Sequence, residues 1–272
     1  MNSQMLFGIH TIAWGERVDL DTMLSEIKEA GYQGAELFQH PDVFSGGIDA
    51  VVRAFQRHDL TLIGTCAGSF RERIDLVREY SKMHAKPIND PTTPYIYIDE
   101  WYPGLAEKAL QDGFRLALHP HMYMAVQTLK EADDFLTKHP RLLFLPDTAH
   151  LTIAGEDSPR RNDSQLKGDS TGLVAAIRTR WSRLAAVHLK DWCEEVGWSY
   201  QFYGDGFCPF GQGNVRLKEV IELLWRKQYR GWIVVEHDRA ENPKELAGER
   251  LNWILPHLPP SYQPKAMGTE HA

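Results

Sequence analysis

The segment RLAAVHLKD at residues 183–191 begins as a short apolar run and ends in imidazole and charged side chains. An amphipathic stretch follows at 215–228, where apolar residues recur at i, i+3, i+4 and i+7 from Leu217. A second apolar run, WIVVE, occupies 232–236. A strand, a helix and a strand in this order predict a parallel β-α-β unit with a right-handed crossover.

The same alternation runs through the whole chain. A second amphipathic stretch, 19–31, ends at Gly31, which is a typical helix stop. Eight strands separated by helices in about 250 residues predict an α/β fold of the (β/α)8 TIM barrel type. A doubly wound sheet would need a glycine-rich loop after its first strand, and GIHTIAWG at 8–15 is not one. The predicted strands are 6–10, 33–38, 61–66, 95–99, 115–119, 142–147, 183–189 and 232–236.

We predict a single barrel domain over 1–258 and a polar tail over 259–272. Two long segments, 151–169 and 191–213, are rich in Gly, Ser, Asp and aromatic residues, which is typical of loops that cover a site. The predicted fourth strand is the least distinct, because a proline-rich stretch precedes it.

Charge and cysteine usage argue against several classes of protein. The formal net charge of −7 argues against a protein that mainly binds nucleic acid. The three cysteines form no CxxC pair, so we expect reduced thiols in a cytoplasmic enzyme. The N-terminus does not have the pattern of a signal peptide, and no apolar run is long enough to span a membrane.

Ionisable residues follow four consecutive predicted strands. The carboxyl ends of barrel strands surround one mouth, where active sites of this fold lie. Residues two apart on a strand share a face, so both members of a pair such as His188 and Lys190 can point inward. These strand-end residues are His119 and His121, Asp147 and His150, His188 and Lys190, and Glu236 and Asp238.

Buried carboxylates and imidazoles are costly to crowd together unless a cation or a substrate satisfies them. The set therefore predicts one divalent-metal site, and its nitrogen and oxygen ligands suit Mn, Co, Zn, Fe or Mg. Each residue also has a simpler interpretation. Asp147 follows a proline and could cap the next turn, and Glu236 could pair with Arg239.

Three further candidate residues lie near the ends of the first two predicted strands. His10, Trp14 and Glu36 could line a substrate-binding floor, although Trp14 could equally be a core aromatic. Cys66 ends the third strand and has no obvious base partner in the sequence, so we interpret it as a packing residue. The chain has neither a GxSxG nor a GxxxxGKS motif, which disfavours serine-type acyl transfer and P-loop phosphoryl transfer.

Taken in order, these segments resemble the xylose-isomerase-like TIM-barrel superfamily of sugar isomerases, epimerases and dehydratases. Within it, the chain is most similar to inosose (2-keto-myo-inositol) dehydratases. GIHTIAW (8–14) and GYQGAELF (31–38) match the first two strands more loosely. The stronger matches are LALHPHM (116–122), PDTAHLTIAGED (146–157), VHLKD (187–191), FYGDGFCPFGQGNV (202–215) and GWIVVEHD (231–238).

The resemblance implies a metal held by His119, Asp147, His188 and Glu236, with Mn or Co favoured. Many epimerases have glutamate where this chain has His119, and inosose dehydratases have a histidine cluster there. Whether His119 or His121 is the ligand stays open.

The implied reaction removes a proton α to a carbonyl and then the β-hydroxyl of a small polyhydroxylated carbonyl substrate. In that reaction Glu236 would be a metal ligand that could also act as base, and His150 or His121 would be the acid–base partner. Lys190 would bind the carbonyl or enolate oxygen, and Asp238 is a further substrate-binding candidate.

The same parts could serve other reactions. Returning the proton would give an epimerase or isomerase, and a 3-keto-glycoside eliminating enzyme, which sometimes works with a small partner subunit, uses the same barrel. Two less favoured hypotheses are an endonuclease IV-like repair enzyme and a non-catalytic sugar-binding barrel. The sequence leaves the exact substrate, the metal and any homo-oligomer open.

Overall fold

A computed structural model describes residues 5–98, 101–155, 172–196, 206–238 and 240–260. Eight parallel strands form one sheet in the order β6-β5-β4-β3-β2-β1-β10-β7, which confirms the predicted (β/α)8 barrel. Its strands are β1 (Leu6–His10), β2 (Gly34–Leu37), β3 (Thr61–Thr65), β4 (Tyr95–Ile98), β5 (Leu116–Leu118), β6 (Leu143–Phe144), β7 (Ala186–Leu189) and β10 (Trp232–Val235).

The sheet closes between β6 and β7 through isolated bridges. Phe144 pairs with Leu184, and Asp147 pairs with His188, both in parallel orientation. The backbone N–H of His188 donates to Pro146 O at 2.9 Å across the same seam. The closure therefore places two of the predicted site residues side by side.

Helices connect and surround the strands. A short antiparallel hairpin, β8 (Asp191–Trp192) with β9 (Phe207–Cys208), follows β7 on the side of the strand ends. The helices are α1 (Leu20–Glu29), α2 (Gly47–Arg57), α3 (Phe70–Met83), α4 (Leu105–Gln111), α5 (Leu129–Lys138), α6 (Thr148–Ala154), α7 (Leu173–Thr179), α8 (Leu217–Arg226) and α9 (Pro243–Ile254).

Local chemistry explains where these elements begin and end. Helix α1 begins after Asp19, whose side chain accepts the N–H of Thr22 at 2.8 Å. Helix α3 has a complete capping box between Ser69 and Glu72. Strand β6 is shorter than the predicted 142–147, because Pro146 has no N–H to donate and the chain then turns into α6.

Two packed regions support the mouth. The larger lies between strands and helices, and the smaller lies inside the barrel, where Ile63, Tyr95, Tyr97 and Val234 are buried together. Gly64 makes room for this filling, because a Cβ there would lie 2.5 Å from the ring of Tyr95. The interior is thus filled below the polar strand ends, which confines the polar residues to one mouth.

The two predicted site loops are partly regular structure. Residues 151–154 complete helix α6, and the start of 191–213 pairs in the β8–β9 hairpin, so the loop prediction was wrong for these parts. Residues 156–171 and 197–205 lie outside the described part, as do Asp99 of the predicted fourth strand and 261–272 of the predicted tail.

No helix among the described residues is long and apolar enough to cross a membrane. All three cysteines lie in the described ranges, and none of them forms a disulfide.

Candidate metal and catalytic site

The two carboxylate oxygens of Asp147 have different surroundings. Oδ1 accepts the backbone N–H groups of Ala149 and His150, at 2.8 and 2.9 Å, and so caps helix α6. Oδ2 is buried and accepts no hydrogen bond from any described residue. Burial raises the pKa of Asp147 to about 7, although Lys190 opposes that rise. The capping and ligand interpretations are therefore compatible.

His188 lies between two glutamates. Its Nε2 is 2.9 Å from Oε2 of Glu36, and its Nδ1 is 2.5 Å from Oε2 of Glu236. The hydroxyl of Tyr97 donates to the same Glu36 oxygen at 2.6 Å. Burial lowers the pKa of His188, but the two carboxylates outweigh it and raise the pKa to about 10. Glu36, predicted as part of a substrate floor, thus orients His188.

Lys190 is fully buried and bound on one side by two carboxylates. Its Nζ donates to Oε1 of Glu236 at 2.9 Å and to Oδ1 of Asp238 at 2.8 Å. The ring of Phe207 lies 3.9 Å from the same nitrogen. Burial would raise the pKa of Glu236, but the positive charges of Lys190 and then of His10 and His188 hold it well below its usual range. Glu236 is therefore an anion at neutral pH.

Three histidines line the mouth beside this network. Nδ1 of His119 lies 3.3 Å from Leu145 O, and Nδ1 of His121 lies 2.7 Å from Met122 O. A backbone carbonyl at Nδ1 assigns the proton to that atom and the lone pair to Nε2. The rings of His121 and His150 are 3.7 Å apart. Burial lowers the pKa of all three, so each is a neutral imidazole near pH 7.

The carboxylates and imidazoles at the mouth fit a divalent cation. Ligand atoms of His119, Asp147 and His188 lie within 4.8 Å of one another, and so do those of Asp147, His150 and Glu236. Oδ2 of Asp147 is buried and accepts no hydrogen bond among the described residues, whereas Nδ1 of His188 and Oε2 of Glu236 are buried against each other at 2.5 Å. A buried carboxylate oxygen without a donor is costly, and a bound cation would satisfy it and could take the place of the proton between His188 and Glu236.

The remaining predicted residues lie at the edge of this cluster. Nδ1 of His10 accepts the N–H of Ile12 at 3.3 Å, and its Nε2 lies 3.5 Å from Sγ of Cys66. Cys66 therefore has an imidazole neighbour that the sequence did not indicate, and it also packs against the barrel interior, as expected of a packing residue. Trp14 packs in the larger core and donates its indole N–H to Glu26 at 2.7 Å, which gives it a structural contact.

Sequence reasoning overlooked three contributors. Tyr97 orients Glu36, Phe207 covers Lys190, and the hydroxyl of Thr148 accepts the backbone N–H of Lys190 at 2.9 Å. Only Tyr97 had a usable signal, because it follows Tyr95 at the two-residue spacing of one strand face.

A family model for the xylose isomerase-like TIM barrel matches residues 102–257. The chain belongs to the xylose isomerase-like TIM barrel family. The matched part begins before β5 and ends after α9, so it contains β5, β6, β7 and β10 with all of their strand-end residues. The resemblance seen in the sequence is confirmed at this level.

Curated relatives of this family member are named inosose dehydratase. The one from Lactiplantibacillus plantarum is 26% identical and covers 93% of this chain and 96% of its own length. The one from Bacillus licheniformis is also 26% identical, with 94% and 97% covered.

Solved structures show the same barrel in other enzymes and proteins. D-allulose 3-epimerase from Methylomonas sp. aligns with a TM-score of 0.61 at 17% identity, over 94% of this chain and 98% of the epimerase. The IolI protein, whose structure holds a zinc atom, aligns with a TM-score of 0.60 at 14% identity, over 93% and 98%. At these identities the two structures support the fold alone.

Proposed function

We propose that this protein is a divalent-metal-dependent lyase that dehydrates a keto-cyclitol or a related keto-sugar. One observation carries the proposal. A buried oxygen of Asp147 that accepts no hydrogen bond among the described residues lies close to the His188–Glu236 pair, beside an ammonium group and neutral imidazoles. This is the set of groups that proton transfer next to a carbonyl requires. The names of the relatives support the same reaction.

Asp147, His188 and Glu236 would hold the cation, with His119 or His121 beside them. When bound, a divalent cation supplies Lewis-acid stabilisation of negative charge that develops on a carbonyl oxygen. Manganese or cobalt suits the mixed nitrogen and oxygen ligands. Glu36 keeps Nδ1 of His188 directed toward Glu236 by binding Nε2 on the opposite side of the ring.

The paired imidazoles of His121 and His150 carry the proton. Burial lowers the pKa of both rings, so both are neutral at pH 7 and each has a lone pair that can accept the α-proton. The same pair then gives this proton to the departing β-hydroxyl. The C–H electron pair forms the new double bond, the C–O bond breaks, and water leaves. Glu236, whose pKa is held well below its usual range by Lys190, acts mainly as a ligand.

Lys190 binds the oxygen on which charge develops. Its ammonium group donates to Glu236 and Asp238, and no described residue accepts its third N–H. That proton can meet the carbonyl oxygen of the substrate as it becomes an enolate oxygen. Asp238 holds Lys190 through one oxygen, while its second oxygen, buried and without a donor among the described residues, can accept a substrate hydroxyl.

The test follows formation of an enone. Protein stripped of metal and reloaded with manganese or cobalt is mixed with 2-keto-myo-inositol, and the ultraviolet absorbance of the product is recorded. We expect absorbance to rise only with metal present. Glu236→Gln should remove nearly all turnover, whereas Glu219→Gln, an exposed glutamate on α8, should retain it.

Other outcomes discriminate the alternatives. Metal binding without enone formation, together with interconversion of free ketoses, would replace dehydration by epimerisation. Turnover that persists after complete removal of metal would overturn the metal requirement. Full activity of Glu236→Gln would overturn the site.

A further inference from the structure

Asp191 organises the turn that follows strand β7. Its buried carboxylate accepts backbone N–H groups of Trp192 at 2.9 Å, Gly211 at 2.8 Å, and both Gly213 and Val215 at 3.2 Å. Two of these bonds go to each oxygen. A carboxylate that accepts four N–H groups forms charge-assisted bonds, which are stronger than neutral ones. The turn is therefore fixed to the residue next to Lys190.

The hairpin held by this turn carries Phe207 to the mouth of the barrel. Asp191 pairs with Cys208, and Trp192 pairs with Phe207, in antiparallel register. Trp192 is fully buried, which anchors the hairpin, whereas Phe207 is only half-buried. The ring of Phe207 contacts the site at two points: Nζ of Lys190 at 3.9 Å, and the ring of His150, edge to face, at 5.7 Å.

The ring of Phe207 can stabilise the positive charge of Lys190 without taking up a third N–H as a hydrogen-bond acceptor, which another carboxylate would do. An ammonium group has three N–H donors, and Lys190 already donates to Glu236 and Asp238. An aromatic face attracts a cation through its quadrupole, and the attraction grows when water is excluded. Phe207 therefore stabilises the charge of Lys190 without offering the oxygen acceptor that a carboxylate would.

We infer that Phe207 is a positioning residue, whose ring holds and shields the Lys190 ammonium group so that one N–H stays directed to the substrate. The inference rests on the proposed function only in assigning that N–H to a substrate oxygen. The contact itself can be tested without turnover.

The first test is nuclear magnetic resonance of protein labelled with ¹⁵N-lysine. In the wild type, the ammonium protons of Lys190 should be shielded by the ring, shifted upfield and slow to exchange with water; Lys190→Gln assigns the signal. Phe207→Leu should remove the upfield shift and speed exchange, and Phe207→Tyr should preserve both. Phe210→Leu is the matched control, because Phe210 lies in the same turn but packs against Trp253 and Arg250.

The second test is turnover of the keto-cyclitol. Phe207→Leu should lower kcat about 10-fold with little change in KM, and Phe207→Tyr should restore it. An unshifted Lys190 signal in the wild type, or one that Phe207→Leu leaves unchanged, would overturn the inference. Unchanged kcat in Phe207→Leu would overturn the positioning role. A wild type without turnover would instead refute the proposed function, and the exchange measurement would still decide the inference.

Discussion

Oε2 of Glu36 lies 2.9 Å from Nε2 of His188, and both side chains are fully buried. The hydroxyl of Tyr97 donates to the same oxygen at 2.6 Å, so the carboxylate is itself held in place. With Nε2 engaged, the atom of His188 that faces Glu236 is Nδ1. A carboxylate on the far nitrogen of a histidine is the usual way in which proteins orient a metal-binding imidazole.

Glu36→Gln should weaken metal binding without unfolding the protein. Glutamine keeps the volume of the side chain but removes the charge that orients His188. We expect the Kd for manganese or cobalt to rise about 10- to 100-fold. Competition against a fluorescent chelator measures it. Glu26→Gln is the control, since Glu26 binds Trp14 away from the cluster, and equal affinities in the two variants would refute the role of Glu36.

Metal loading should release protons, and fewer of them as the pH rises. Burial raises the pKa of Asp147 to about 7, while Glu36 and Glu236 outweigh burial at His188 and raise its pKa to about 10. Near pH 6 both groups are largely protonated, so a cation that takes both should displace about two protons. Near pH 8.5 Asp147 is already ionised, so the cation should displace only about one proton, the one on His188.

Titration calorimetry in buffers of different ionisation enthalpy counts these protons directly. A release that grows with pH, or none at all, would mean that the cation binds elsewhere. Asp147→Asn should remove the part of the release that depends on pH between 6 and 8.5.

Cys208 should be unusually slow to alkylate. Burial, and then the charge of Asp191, raise the pKa of its thiol to about 12. At pH 8 its thiolate fraction would be ~10⁻⁴, against about one quarter for an ordinary thiol of pKa about 8.5. Timed iodoacetamide labelling, read by mass spectrometry, should show slow modification that accelerates about tenfold per pH unit. Labelling in denaturant is the control, and equal rates in both states would contradict the prediction.

Gly213→Ala should destabilise the protein through the turn of Asp191. A Cβ at Gly213 would lie 2.3 Å from Oδ1 of Asp191 and 2.5 Å from Trp192 O, so the carboxylate or the backbone must move. We expect the free energy of unfolding in urea to fall by about 1–3 kcal/mol. Gly248→Ala, in helix α9 with open space around it, should be neutral or stabilising by up to about 1 kcal/mol. If the free energy of unfolding of Gly213→Ala were no lower than that of Gly248→Ala, the clash at Gly213 would be relieved at no cost and the prediction would fail.

The barrel could be predicted from the sequence because each strand is a short apolar run followed by a helical repeat. The location of the site followed from the same pattern, since Asp147, His188 and Glu236 all lie at or shortly after the carboxyl ends of strands that meet at one mouth. The predicted strand 142–147 was longer than β6, because an apolar run does not reveal that Pro146 and the cap at Asp147 end the pairing early.

Contacts between distant strands could not be predicted. Glu36 was interpreted as part of a substrate floor, yet it lies against His188. The register of β2 against β3 shifts between Ala35 and Glu36, and such an irregularity changes where a side chain points without leaving a pattern in the sequence. Tyr97 resembles its buried neighbour Tyr95 in sequence, and only the neighbours across the barrel distinguish them.

The seam between β6 and β7 has a consequence for folding as well as for chemistry. It is joined by the bridges Phe144–Leu184 and Asp147–His188, and the second of these brings together two proposed ligands. A cation bound by both side chains would join the two edges of the sheet and stabilise the closed barrel by a free energy that grows with the logarithm of its affinity. Chelation should therefore first accelerate amide hydrogen exchange at 143–145, 147 and 186–189, which would report local opening of the barrel wall on loss of the ion.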